Sequence, residues 1–142
     1  MKQDEGPGSF FYELLSASNK VADRLEAALE PVGLSLAKFG ALSKLVAAEE
    51  PLPLSTLAER CACVRSNITQ LVDRLEADGL VSRSDDPHDR RSVRAELTNE
   101  GRRRQAAGLQ AIEKAERDLL AHVPKPKQDS LVEVLRSLNT SA

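Results

Sequence analysis

The segment Arg65-Ser66-Asn67-Ile68-Thr69-Gln70-Leu71-Val72-Asp73-Arg74-Leu75-Glu76 carries an apolar face and a polar one. Ile68, Leu71, Val72 and Leu75 recur at i, i+3, i+4 and i+7, which puts them on one side of an α-helix and requires that side to be buried. Arg65, Ser66, Asn67, Thr69, Gln70, Asp73 and Arg74 take the leading end and the opposite surface, and almost all have donors or acceptors at their tips. Such a surface suits base edges and phosphates. Gly79, just past Asp78, is a favourable left-handed C′ residue and predicts where the helix stops.

Upstream, Leu54-Ser55-Thr56-Leu57-Ala58 predicts a short helix, with Ser55 as N-cap, Leu54 placed for a hydrophobic staple, and Leu57 and Ala58 turned inward. Downstream, residues 80–84 and 92–97 read as strands; in the second, Val93, Ala95 and Leu97 alternate with Arg94 and Glu96. Between them lies Asp85-Asp86-Pro87-His88-Asp89-Arg90-Arg91, read as an exposed loop that ends in adjacent guanidiniums.

The flanks are helical. Ser9 reads as an N-cap, after which Phe11, Leu14, Leu15, Val21, Ala22, Leu25, Ala28 and Leu29 follow helical spacing until Pro31 and Gly33. Ser35 reads as the next cap, with Phe39, Leu42, Leu45 and Val46 as the buried stripe and Glu49-Glu50-Pro51 as the stop. Thr98 caps a long polar helix whose apolar positions Leu109, Ile112, Leu119, Leu120 and Val123 are sparse, a stripe closer to a coiled-coil seam than to a core face. Pro124-Lys125-Pro126 interrupts the chain, and Leu131, Val132, Leu135 and Leu138 mark a last helix. The compact middle cannot cover these ends; a second copy can, with Leu14, Leu15, Leu119, Leu135 and Leu138 among the interface or core residues.

A chain of 142 residues suffices for one ordinary domain with a real core. Its 22 acidic residues against 20 basic ones exclude a polycationic coat for nucleic acid, so any such contact is local. All the aromatic residues are Phe10, Phe11, Tyr12 and Phe39, away from the basic residues of the later half, which disfavours single-strand binding by base stacking. The polar, breaker-rich start lacks the apolar segment of a signal peptide, and no apolar run reaches the length of a membrane span; a cytoplasmic location without a membrane partner is expected. Cys61 and Cys63 are too close in sequence to staple distant elements. Two cysteines do not complete a tetrahedral zinc site, and His88 and His122 lie elsewhere, so no metal site is expected. There is no nucleophile elbow, phosphate loop or clustered acid–base pair; neither catalytic residues nor a cofactor are expected, and the chain does not read as an enzyme.

The middle of the chain resembles the winged helix-turn-helix of the MarR family of bacterial transcriptional regulators. The likeness is carried by Leu57-Ala58-Glu59-Arg60, by the segment quoted first, by Gly79-Leu80-Val81, by Asp86-Pro87-His88-Asp89-Arg90-Arg91 and by Leu97-Thr98-Asn99-Glu100-Gly101. With the helical ends in matching positions it covers essentially the whole chain. The resemblance implies a mainly α fold with a small β wing. Residues 35–98 would form the winged DNA-binding domain, residues 9–34 and 99–142 the helical dimerisation region, and residues 1–8 a disordered tail. It further implies a sequence-specific double-stranded DNA-binding regulator, a repressor released by a small-molecule ligand. Such a homodimer sits on pseudo-palindromic duplex DNA and responds to a small aromatic effector, whose site is not identified. The DNA-binding residues carried over are Arg65, Ser66, Asn67, Thr69, Gln70 and Arg74 in the helix and Arg90 and Arg91 in the wing. One wing arginine reaches the minor groove and the other is available to Asp73 or a wing aspartate; which does which stays open.

This chain departs from the family where Val64, a poor N-cap, replaces the usual serine, so the start of the recognition helix stays open. Cys61 and Cys63 stand where the family has apolar residues and read first as small core side chains. The family's hydroperoxide sensors carry a cysteine in the first helix; residues 10–21 have none. Two alternatives remain: a thiol-based redox-responsive regulator using Cys61 and Cys63, and a winged-helix module that binds protein. Near-neutral charge permits the second, whereas Arg65, Gln70, Arg90 and Arg91 argue against it. Blander readings also stand beside these: the polar helix face as solvated surface, and Arg90 and Arg91 as ordinary loop charges.

Overall fold

Helical periodicity accounts for most of the computed structural model, which describes residues 7–61 and 67–140. In chain order it contains α1 (Pro7–Leu29), a 3-10 turn (Glu30–Val32), α2 (Leu36–Ala48), β1 (Leu52–Pro53), α3 (Leu54–Arg60) and α4 (Ile68–Ala77). There follow β2 (Val81–Asp86), β3 (Asp89–Leu97), α5 (Asn99–Leu119) and α6 (Lys125–Thr140). The sheet is antiparallel, three-stranded, in the order β1-β3-β2. The architecture is mainly α with a small β wing, as the sequence predicts.

The core lies where α2, α3, α4 and the sheet meet. Leu42 and Leu45 of α2, Leu57 of α3, Leu71, Val72 and Leu75 of α4, and Leu80, Val81 and Ala95 around the sheet are all buried. Ile68 is partly buried against them, so the predicted stripe of α4 faces inward throughout. Cys61 belongs to this core as well. Cys63 lies outside the described residues.

Several caps form as their chemistry dictates. Ser35 Oγ accepts from Lys38 N–H at 3.1 Å, and Thr98 Oγ1 accepts from Gly101 N–H at 2.9 Å while donating to the Gly79 carbonyl at 2.7 Å. Beside this cap, Glu100 is held below the usual carboxylate range by hydrogen bonds from Arg103 and then Arg104. Gly79, at φ 76°, closes α4: its N–H donates to the Glu76 carbonyl and Leu80 N–H to the Leu75 carbonyl, both at 2.9 Å, the paired bonds of a Schellman stop.

Elsewhere the structure corrects the sequence reading. Ser9 lies inside α1, which already includes Pro7 and Gly8 of the expected tail; residues 1–6 are outside the described residues. Ser55 does not cap α3, and Leu54 is its first residue, not a staple before it: Pro53 is the N-cap residue, extended at ψ 145°, because Leu52 and Pro53 pair with Ala95 and Arg94 as a third strand. The break expected at Pro124-Lys125-Pro126 lies earlier, at residues 120–124, so Leu120 and Val123, read as positions of the long helix, fall beyond the end of α5. α6 starts at Lys125, and Pro126 is tolerated because a first-turn N–H has no intrahelical acceptor to lose. The inner face of α5 is made by Gly101, Gln105 and Gly108, not by Leu109, which is exposed. Gly108 lets Phe39 and Leu34 approach so closely that a Cβ there would sit 2.9 and 3.0 Å from them.

The ends remain apolar and uncovered. Phe11 and Leu15 on α1 are 56% and 63% exposed, and Leu131 of α6, a helix with no buried residue, is 50% exposed. No single described helix is long and apolar enough to cross a membrane.

Candidate nucleic-acid interface

α4 begins after Asn67, whose side-chain oxygen accepts from the N–H groups of Thr69 at 3.0 Å and Gln70 at 3.4 Å. Asparagine is a strong N-cap, so Asn67 supplies what Val64 could not, and the start left open by the sequence falls at Ile68. Asn67 is therefore a cap and not a residue of the helix face, with only its amide nitrogen left to donate outward. Arg65 and Ser66 lie outside the described residues.

Thr69, Gln70, Asp73 and Arg74 are all exposed, on the side of α4 away from Leu71, Val72 and Leu75. The predicted residues Thr69, Gln70 and Arg74 thus share one surface that offers a hydroxyl, an amide and a guanidinium. A burial-driven helix has presented its whole polar inventory on the remaining side.

A residue not singled out in the sequence braces this surface. Arg83 of β2 donates to the Thr69 carbonyl at 3.2 Å and forms an ion pair with Asp73, while its own N–H donates to Glu76 Oε2 at 3.2 Å. Thr69, Asp73 and Glu76 are at i, i+4 and i+7, a single flank of α4, so β2 is laid along that flank. The signal was available: in β2 the alternation places Arg83 on the face of Val81, and a charge on the inward face of a strand needs a partner. With Asp73 neutralised by Arg83, the exposed face of α4 presents Arg74 without an uncompensated carboxylate beside it.

Arg90 and Arg91 are exposed, but they are in β3 and not in a loop. The hairpin closes around Pro87 and His88, with Asp86 Oδ1 accepting from His88 N–H at 2.9 Å, the side-chain turn that aspartate favours. Asp86 is opposite Asp89 and Asp85 opposite Val93, so Arg90, Arg91 and Ser92 occupy an irregular step of the ladder. Bulged strands bend and re-aim their side chains. Arg91 N–H donates to Asp89 Oδ1 at 3.0 Å, which fixes the backbone there. Asp73, offered to one of these arginines by the sequence reading, is taken by Arg83.

Among the described residues, no three His, Cys, Asp or Glu side chains gather as a metal site. A cleft of about 460 Å³ between α1 and α5 is lined by Arg24, Ala28, Val32, Ala111, Lys114 and Asp118, among others.

A sequence model described as the MarR family matches residues 34–93. The chain is 36% identical over 102 residues to the HTH-type transcriptional repressor YetL of Bacillus subtilis (strain 168), a match covering 71% of this chain and 61% of that protein. Its fold is similar to that of the transcriptional repressor CouR bound to a 23-mer DNA duplex, with a TM-score of 0.85 and 27% identity over 98% of this chain and 99% of that one. It is also similar to the PcaV transcriptional regulator of Streptomyces coelicolor in complex with its natural ligand, at TM-score 0.75 and 25% identity, over 99% of this chain and 98% of that one. The chain spans about three-fifths or less of the length of the first curated relatives it matches.

Proposed function

We propose that the chain is a member of the MarR family and a sequence-specific double-stranded DNA-binding transcriptional regulator, a repressor released by a small-molecule ligand. The observation that carries the reading is the exposed Thr69, Gln70 and Arg74 surface of α4, capped by Asn67 and braced through Arg83 against a strand pair that ends in Arg90 and Arg91. α4 enters the major groove, where Gln70 and Arg74 meet base edges or phosphates, and the wing arginines contact the flanking backbone or minor groove. Arg65 and Ser66 belong to the same proposal by sequence alone.

Two such surfaces are needed. A homodimer that buries the apolar faces of α1 and α6 sets two α4 helices about one helical turn apart, which requires a pseudo-palindromic operator. On this reading it acts in the cytoplasm, as bacterial regulators of this kind do. A small aromatic effector held in the cleft between α1 and α5 favours release only if it binds one spacing of the α4 helices better than the other. CouR with its DNA duplex and PcaV with its natural ligand support these partners as a class.

The test is a titration of the full chain with duplex DNA from upstream of its own gene, against a scrambled duplex of the same length. Tight binding to the first, with specific affinity at least about a thousandfold above the second, is expected. Equal binding to both would remove sequence specificity from the reading.

A further inference from the structure

Lys38 of α2 and Asp78 at the C-cap of α4 form an ion pair at 2.7 Å, with side chains 22% and 39% exposed. Each charge is at the wrong end of its own helix. Lys38 stands in the first turn of α2, where the unsatisfied N–H groups favour an anion, and Asp78 stands at the end of α4, where the unsatisfied carbonyls favour a cation. Helix stability alone explains neither placement. The contact between the two helices explains both, because each charge neutralises the other at a terminus that would otherwise repel it.

The pair is one link of a polar series. Glu26 of α1 reaches the start of α2, its Oε1 accepting from Leu36 N–H at 2.7 Å, and two residues on, Lys38 holds the end of α4. The other flank of α4 is held by Arg83 through Thr69 and Asp73. α4 is thus fixed from the wing along its length and from α2 at its C-terminus. On the reading of α4 as the DNA-recognition helix, we propose that Lys38 is a positioning residue: it ties the recognition helix to the junction of α1 and α2, and through Glu26 transmits the placement of the end helices to the DNA-reading surface.

The proposal separates from a direct DNA contact by sign. A positioning pair requires Lys38→Met and Asp78→Asn to weaken operator binding alike, by about two- to five-fold per subunit, the most a partly exposed pair supplies. Neither variant then changes the slope of log affinity against log salt. A phosphate-binding Lys38 requires Lys38→Met to reduce that slope by about 0.9, and Asp78→Asn to bind as well as wild type or better.

The experiment measures operator binding across salt concentrations, and amide hydrogen exchange in the DNA-free protein, for wild type, both single variants and the swap Lys38→Asp with Asp78→Lys. In the single variants, the amides of Asp78, Gly79 and Leu80, bonded to the carbonyls of Arg74, Glu76 and Leu75, are expected to exchange faster. The swap restores the pair with each charge at its favourable helix end, and is expected to restore both exchange protection and affinity. Unchanged exchange and binding in the single variants, a fall in salt slope confined to Lys38→Met, or a swap that rescues neither readout would each overturn the proposal. If wild type binds no operator, the DNA-binding reading fails on its own, and exchange at the end of α4 still decides whether Lys38 holds that helix.

Discussion

Arg83 on the wing strand and Asp73 on the exposed side of α4 form an ion pair, and the same guanidinium donates to the Thr69 carbonyl. Helix and wing are therefore presented to a partner as one unit. Arg83→Ala is expected to leave the fold intact and to weaken operator binding by about 1 kcal/mol per subunit, the upper range for an exposed pair. Asp73→Asn should do much the same, and the double variant should lose little more than either alone. Additive losses in a double-mutant cycle would mean that the two residues act separately.

The wing arginines are expected to contribute through DNA and not through folding. Both are exposed on an irregular step of β3. Arg90→Ala with Arg91→Ala should keep the melting temperature and lower the salt slope by roughly 0.9 for each phosphate that an arginine had neutralised. A minor-groove contact would instead show its largest loss on operators with AT-rich flanks, where the groove is narrow and most negative. Wild-type binding at every salt concentration would favour the protein-interaction alternative.

Assembly rests on the uncovered faces of α1 and α6. Leu135→Glu with Leu138→Glu puts charge on an apolar stripe that nothing within the described chain covers. Sedimentation should show dimer for wild type and monomer for the variant, and operator binding should fall steeply because one half-site then binds alone. A variant that remains dimeric would place the interface elsewhere.

Gly101 tests the packing of α5 against the winged domain. A Cβ there would lie 2.1 Å from the Leu80 carbonyl oxygen, a backbone atom at the Schellman stop of α4. Gly101→Ala should therefore destabilise by about 1–3 kcal/mol despite alanine's better helix propensity. An unchanged or raised melting temperature would mean that α5 relaxes away from Leu80 without cost.

The features legible in sequence were those with local causes. Leu71, Val72 and Leu75 fixed the orientation of α4 by period alone, and Ser35, Thr98 and Gly79 marked helix ends through their own side chains or conformational freedom. What depended on distant partners was not legible. Leu52 and Pro53 are too few to show strand alternation and become β1 only because Ala95 and Arg94 complete the ladder. Asp85 to Arg91 has a loop's composition, yet the side-chain turn at Asp86 lets the strands run to its edges. Gly101, Gln105 and Gly108 carry no hydrophobic signal, although they form the buried side of α5. Of the candidate site, Thr69, Gln70 and Arg74 come together, Asn67 is the cap, and Arg83 is marked in sequence only by its place on the inward face of β2, its partner being ten residues away on another element.

The most direct test is base discrimination by Gln70, an exposed amide on the first turn of α4. A side-chain amide that pairs with a base edge contributes about 1–3 kcal/mol of discrimination. Affinities of wild type and Gln70→Ala are to be measured for the operator and for operators altered one base pair at a time. Gln70→Ala is expected to bind the original operator more weakly and to lose its preference at one position per half-site, with other positions unchanged. A variant that keeps the wild-type ratio of affinities at every position would show that the exposed face of α4 does not read sequence through this residue.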